Sequence, residues 1–455
     1  MDWYARRPYD VYFFGPLWPV CGVPCQPRII MQRKSSRSPR GPVFLQDLYP
    51  LLVPPSEPPG HTFILELGGA EAIYVTQAHR LVLAWCLREV EPDRFDVADI
   101  RALLRELADT SLTRDVRHAL VLLAREFLKK RIDPHRVALA CLAVGDCAVA
   151  RGARKSALLW SEAAACVVPL NPRFAWLAGK LYRKWEHYSE AEYWLERAAR
   201  VAVRINERYT QALALNSLGN LYRQMGNYAR SVELLNRALM RARRHRLDPL
   251  EGEILHDLAL LSAAMDRFRD AEKYAVLSFA RYGNQHPNLP KLACDVAFNW
   301  ANQGFFDRAY RVYQSLLRQF EAPHERLRVL SAMVRCAGAI RDQDTFDQLW
   351  SAAWKLAQEP LGEPVLAAAL VDMGKGAVSI SAWERATTAL EWAVRAAEAS
   401  GEADMLALAD AALSAAHQHL RIDVNLRDVR ENSASDRFAD SLTQVLDHPR
   451  REPAR

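Results

Sequence analysis

Leu215-Asn216-Ser217-Leu218-Gly219-Asn220-Leu221-Tyr222, followed by Gly226-Asn227-Tyr228 and then Ala238, reads as one complete helix–turn–helix unit. Gly219 and Ala238 are small where the two helices of a pair must approach closely. Tyr222 and Tyr228 are bulky and fill the gap beside them. Gly226 stands at the turn. A unit of this kind buries its apolar face by stacking on copies of itself.

Copies flank it on both sides. The anchor is the turn, where a Gly or an acidic residue precedes an aromatic and a small residue opens the second helix. Aligning on it sets Gly152 with Ala157, Tyr188 with Ala191 and Tyr228 with Ser231. It then sets Phe268 with Ala271, Phe306 with Ala309 and Trp383 with Ala386. Gly152 to Glu186 is 34 residues, Tyr188 to Tyr228 and Tyr228 to Phe268 are 40 each, and Phe268 to Phe306 is 38. Phe306 to Trp383 is 77, close to two steps, so a degenerate unit is expected around 342–350. Asn171-Pro172, His286-Pro287 and Asn288-Leu289-Pro290 break the chain between units, since Pro suits the first turn of a helix.

The pattern resembles the tetratricopeptide repeat family. The resemblance rests on Gly219, Tyr222, Gly226, Tyr228 and Ala238 in the best unit, and on Gly179, Tyr182, Tyr188, Ala191 and Ala198 in the one before it. Phe268 with Ala271 and Phe306 with Ala309 carry it more weakly onward. It implies an all-α fold, an α-solenoid formed as a right-handed superhelix of seven or so helix–turn–helix repeats. It also implies an inner groove lined by the first helix of each pair, where polypeptide binds. Units longer than the family's usual length imply longer helices or longer connections.

Composition agrees with a helical protein and excludes several classes. The 455 residues are 50% hydrophobic and 25% charged, with only 19 Gly. Sixty basic against 54 acidic residues leave a net charge of +6, an excess too small to point to nucleic acid. Six of the eight Cys stand singly beside Ala and Leu, which reads as small buried hydrophobes in a reducing, cytoplasmic setting. Cys21 and Cys25 form a C-x3-C pair with no second Cys/His pair nearby, so no metal is expected. No apolar run reaches the length of a membrane helix. The apolar stretch 11–23 is interrupted by Pro16 and Pro19, and Asp2 and Asp10 argue against a secretory signal.

Four segments follow. Residues 1–60 are rich in Pro, aromatics and basic groups and are expected to be a disordered head, with Met31 as an alternative start. Residues 61–135 form a helical segment, in which 62–67 is a strand or a helix start and Gly68-Gly69 a break. Val116, Leu120, Leu123 and Phe127 there recur at helical spacing. Residues 136–425 are the repeat array. Residues 426–455 are a polar tail that holds a short helix at 436–447.

Candidate function lies on the first helices. Asn216 and Asn220 are four apart, and Arg223 and Gln224 follow on the same face. The preceding unit offers Trp176, Lys180 and Arg183 at matching places, with Arg173 one turn earlier. Asn amides pair with the main chain of an extended peptide, and Lys and Arg pair with its carboxylates. Some tetratricopeptide proteins clamp an acidic peptide end with Asn and Lys in this way, and the Asn216/Asn220 spacing looks similar. His256 and Cys294 at later matching places depart from that clamp. The expected partner is therefore a protein or peptide with acidic groups.

Other signals are weaker. The basic run Arg237, Arg241, Arg243, Arg244, His245 and Arg246 ends a second helix, where the helix dipole favours cations. Gly374-Lys375-Gly376 lacks the rest of a phosphate loop and reads as helix packing. His417 and His419 are two apart on a helix and make a poor metal pair. Trp350, Trp354, Trp383 and Trp392 read as core. The reading is a non-enzymatic scaffold or adaptor without cofactor. The alternative is a peptide-sensing regulator, transcriptional or signalling, although no DNA-reading motif precedes the array. A third reading, an enzyme within 61–135, finds only amphipathic helices there.

Overall fold

A computed structural model describes residues 59–87, 96–108, 112–360, 363–420 and 433–447. These residues hold twenty helices and no strand. The expected disordered head up to residue 58, Met31, the Cys21/Cys25 pair and the last residues of the tail lie outside them. The chain divides into two compact units, with the boundary between Leu250 and Glu251.

The first unit opens with α1 (Pro59–Leu67), α2 (Gly69–Leu87), α3 (Val97–Ala108) and α4 (Arg114–Phe127). The apolar piece 62–67 is thus helix, and Gly68 and Gly69 break it with φ of 69° and 52°. Three hairpins follow: α5 (Pro134–Ala150) with α6 (Arg154–Val167), α7 (Pro172–Lys184) with α8 (Tyr188–Arg204), and α9 (Arg208–Gln224) with α10 (Tyr228–Arg244). Glu66 joins α1 to the array. Ala153 at the start of α6 has no capping side chain, and the Glu66 carboxylate takes that role. It accepts from the Lys155 N–H at 3.0 Å and from the Ser156 N–H and Oγ, both at 2.7 Å. A carboxylate is favoured at that end of a helix. His79 of α2 lies edge-on to Phe63 and to Trp160. Burial pushes its pKa down to about 4 against a backbone hydrogen bond at Leu159, so the ring is neutral.

Four hairpins follow, and the boundary to the second unit falls within the first turn of their opening helix. They are α11 (Asp248–Ala264) with α12 (Phe268–Tyr282), α13 (Leu289–Asn302) with α14 (Phe306–Leu317), α15 (Pro323–Ile340) with α16 (Gln343–Ala357), and α17 (Glu363–Ser379) with α18 (Trp383–Ser400). α19 (Ala403–His417) and α20 (Ser433–Asp447) complete the second unit. The pair α15/α16 is the degenerate repeat expected near 342–350.

All seven hairpins turn in one way. Gly152, Glu186, Gly226, Asp266, Gly304, Arg341 and Ser381 are left-handed, with φ between 57° and 89°. The N–H of the next residue then reaches the carbonyl five residues back, as from Asn227 to Tyr222 at 2.8 Å and from Asp342 to Ala337 at 3.1 Å. This closes the end of the first helix and satisfies its last carbonyls. Four of the seven residues are not Gly and carry the strain of a left-handed side chain.

Inside the hairpins, glycine lets the helices touch. A Cβ on Gly179, Gly219 or Gly374 would stand 2.5–2.7 Å from the side chain of Leu195, Leu235 or Leu390, each 16 residues on. Ser231 Oγ donates to the Gly219 carbonyl at 2.7 Å, and Ser278 Oγ to that of Gly252 at 2.8 Å. Between hairpins, an aromatic on a first helix donates to a Glu on the preceding second helix. Tyr182 reaches Glu162 at 2.8 Å, Tyr222 reaches Glu192, and Trp300 reaches Glu272 at 3.2 Å. The expected packing residues sit at these joints: Ala191, Ala238, Ala271, Phe306 and Ala309 are buried, and Tyr188, Tyr228 and Phe268 are half-buried at the turns.

Among the described glycines the tightest contact joins α15 and α17, where a Cβ on Gly338 would lie 2.2 Å from the Gly376 carbonyl oxygen. Gly338→Ala must therefore push the α15 and α17 backbones apart and is expected to cost about 3 kcal/mol. Arg341→Gly, three residues on, relieves a left-handed side chain at φ 60° and is expected to add about 1 kcal/mol. Urea denaturation midpoints check both, and the opposite order would exclude this packing.

Candidate functional site

Within each unit, polar side chains bridge the first helices of neighbouring hairpins. In the first unit the bridges run between α7 and α9. Trp176 Nε1 donates to Ser217 Oγ at 2.8 Å, and Arg183 donates to Gln224 Oε1 at 3.1 Å. Each pair is 41 residues apart, one repeat plus one. Lys180 Nζ lies 5.2 Å over the Trp176 ring, one turn along the same helix. Arg223 Nε donates to Asn220 Oδ1 at 3.5 Å. The structure thus brings Trp176, Lys180, Arg183, Asn220, Arg223 and Gln224 together, with Arg173 exposed at the far end.

Asn216 and Asn220 differ from the rest in depth. They are 5% and 7% exposed, inside a helix buried on every side from Ala212 to Leu221. Arg223, Arg183, Lys180 and Trp176 are half-buried, and Gln224 is exposed. The cations and the indole therefore form the accessible portion, and the two amides lie beneath.

The charge of this seam is one-sided. α7 carries Arg173, Lys180, Arg183 and Lys184, and α9 carries Arg208 and Arg223. Neither helix contains an Asp or a Glu. Sequence reasoning placed the cations but missed Ser217, the acceptor that fixes the indole. The repeat spacing is the signal that finds it.

The basic end of α10 is different. Arg241 donates to Gln211 at 2.9 Å, Arg208 meets His245 at 3.4 Å, and Glu233 pairs with Arg237 at 3.3 Å and with Arg230. These groups join α10 to its neighbour and to itself.

The second unit has a seam of mixed sign. His256 and Asp295 are 2.8 Å apart. Burial opposes the Asp295 carboxylate, yet the His256 hydrogen bond and the charges of His256, Lys291 and Arg328 hold its pKa below the ordinary value. A cavity of about 20 Å³ beside them is lined by His256, Asp295 and Asn299, whose Oδ1 has no partner among the described residues. Arg335 bridges three helices, meeting Asn302 at 2.9 Å and Asp372 at 3.4 Å. Lys375 stands in the same layer between Gly374 and Gly376. Burial pushes its pKa down to about 8, Arg335 adds to this and Asp372 opposes it.

Among the described residues no group of three or more His, Cys, Asp or Glu could hold a metal ion, and His417 and His419 join none. No helix among them is long and apolar enough to cross a membrane. Among the described residues no cysteine is in a disulfide.

No protein-family model matches the chain, and no curated protein matches it. Among solved structures it is similar to aspartyl phosphate phosphatase F from Bacillus subtilis, at 12% identity over 72% of this chain and 94% of that one, with a TM-score of 0.45. It is similar to the apo form of RapI at 9% identity, over 74% and 99%, with a TM-score of 0.47. It is also similar to PilF of Pseudomonas aeruginosa at 19% identity, over 48% and 91%, with a TM-score of 0.36.

Lys375 gives a pH signature. Between about pH 8 and the ordinary lysine value of 10.5, the unfolded chain holds a proton that the folded chain has released. Stability therefore rises with pH across that window, and the burial penalty stands in full below it. Lys375→Met is expected to add on the order of 2 kcal/mol near neutral pH and to flatten the rise. Urea midpoints across the window check this, and parallel curves for the two proteins would exclude it.

Proposed function

We propose that α7 and α9 form a binding seam for an extended, acidic polypeptide segment, and that the protein is a non-enzymatic scaffold or adaptor. The observation that carries this reading is the set of six cations on two adjoining first helices that hold no acidic residue. Like charges on neighbouring helices repel, and a ligand of opposite sign relieves them. Arg173, Lys180, Arg183 and Arg223 take the ligand's carboxylates. Trp176, held by Ser217 and half-buried, offers a flat apolar surface to a ligand side chain. Gln224 offers amide hydrogen bonds to a main chain once Arg183 turns to a carboxylate. Asn216 and Asn220 act from beneath, Asn220 by holding Arg223 in place.

An anisotropy titration with a labelled Glu/Asp-rich peptide tests it. Lys180→Glu with Arg183→Glu is expected to weaken binding at least tenfold, about 1.4 kcal/mol. The melting temperature should move by no more than ~2 °C, because both side chains reach solvent. Wild-type affinity should fall as salt rises. Equal affinity for the double variant and wild type would remove the seam from the binding site.

A further inference from the structure

α20 does not extend the hairpin array. It packs along α14, and the order of their ion pairs shows that the two helices run parallel. Arg308 pairs with Asp436 at 2.9 Å, Arg311 with Asp440 at 2.9 Å and Arg318 with Asp447 at 3.0 Å. Gln319 donates to the Leu446 carbonyl. Between these rims α20 buries Ser435, Phe438, Ala439, Leu442 and Leu446, a single face at steps of three and four. Phe438 sits edge-on to Phe279 of α12 at 5.7 Å and to Trp300 of α13 at 6.0 Å. The Arg308 guanidinium is buried beside it, 4.8 Å over Phe305 and 5.3 Å over Trp300.

This is the geometry of a helix held in a groove: apolar anchors in register, and a charged rim that selects sign and direction. α14 packs against α13 and α15 on its own account, and α14 is the one helix with which α20 makes extensive contact among the described residues. Most rim charges are exposed, Asp440 at 64% and Arg318 at 61% of the side chain. Exposed pairs add little stability but fix register and partner choice.

We propose that this face of α14, bounded by Phe279, Trp300 and Phe305 and edged by Arg308, Arg311 and Arg318, is a second recognition site. Its ligand is an acidic amphipathic helix of a partner protein, and α20 is the resident copy of that ligand. The partner helix carries Asp at the positions of 436, 440 and 447, with an aromatic and two leucines between. The site lies in the second unit and does not depend on the α7–α9 seam.

The probe is a labelled peptide with the sequence of residues 433–447, titrated into the full chain. Phe438→Ala with Leu442→Ala weakens the resident helix, and this variant is expected to bind the peptide at least tenfold more tightly than wild type. Adding Arg308→Glu and Arg311→Glu should abolish binding, and a peptide with Asp436→Arg and Asp440→Arg should restore some of it. In wild type, excess peptide should speed amide exchange in α20 while α13 and α14 stay protected. No binding to a folded Phe438→Ala/Leu442→Ala variant would overturn the proposal. So would α20 amides that exchange only together with α13 and α14, a result obtained on wild type whatever the variants do. A concentration-dependent dimer that is lost with Phe438→Ala would assign the groove to a second copy and overturn the partner.

Discussion

In three of the hairpins the first helix is stripped of its side chain beneath the second, so the two helices nest closely. Gly179, Gly219 and Gly374 supply that gap for Leu195, Leu235 and Leu390, and the constant offset of 16 residues sets the length of the whole hairpin. The left-handed turn is common to all seven hairpins. With the helices pressed together, the chain must reverse in few residues, and the carbonyls at the end of the first helix need a donor at once. The bond from the residue after each left-handed position supplies it. The half-buried Glu residues extend the same constraint to the next repeat. Glu162 accepts from both Tyr182 and Trp194. Burial raises its pKa in spite of those two bonds, so position outweighs charge at that joint.

The turns are readable in the sequence because Gly, aromatic and small residues recur there with fixed spacing. The repeat formed by α15 and α16 is hard to see for a physical reason. Its left-handed residue is Arg341, and its close contact runs backbone to backbone from Gly338 to Gly376 of the next hairpin. Neither feature resembles the turn of the best unit. The stretch 62–67 leaves strand and helix open because a short apolar run satisfies both periods. Its partner in the fold decides: as a helix it delivers Glu66 to the bare N-terminus of α6, about ninety residues away in sequence. No local signal announces such a contact. The docking of α20 on α14 escapes local reading in the same way, since its ion pairs join residues 128 and 129 apart.

Site residues are legible by type and less so by depth. Helical spacing sets which side chains share a face, but α9 lies between α8, α10 and α7, and its polar face is largely covered. Asn216 and Asn220 therefore sit below the surface that Lys180, Arg183 and Arg223 form. The same holds for Lys375, whose flanking glycines admit neighbouring helices so closely that its ammonium loses water.

The two seams of first helices handle charge in opposite ways, and this separates what each can bind. Along α11 to α17 the carboxylates already have partners: His256 faces Asp295, and Arg335 faces Asp372. A charged ligand arriving there would exchange an existing polar contact for another, with the cost of desolvation added. Along α7 and α9, Arg183 meets the Gln224 amide, Arg223 meets the Asn220 amide and Lys180 lies over the Trp176 ring. In the proposed binding mode a ligand carboxylate gains a charge-assisted hydrogen bond there. The proposed preference for an acidic segment rests on the lack of Asp and Glu on the cations' own helices, more than on the number of cations.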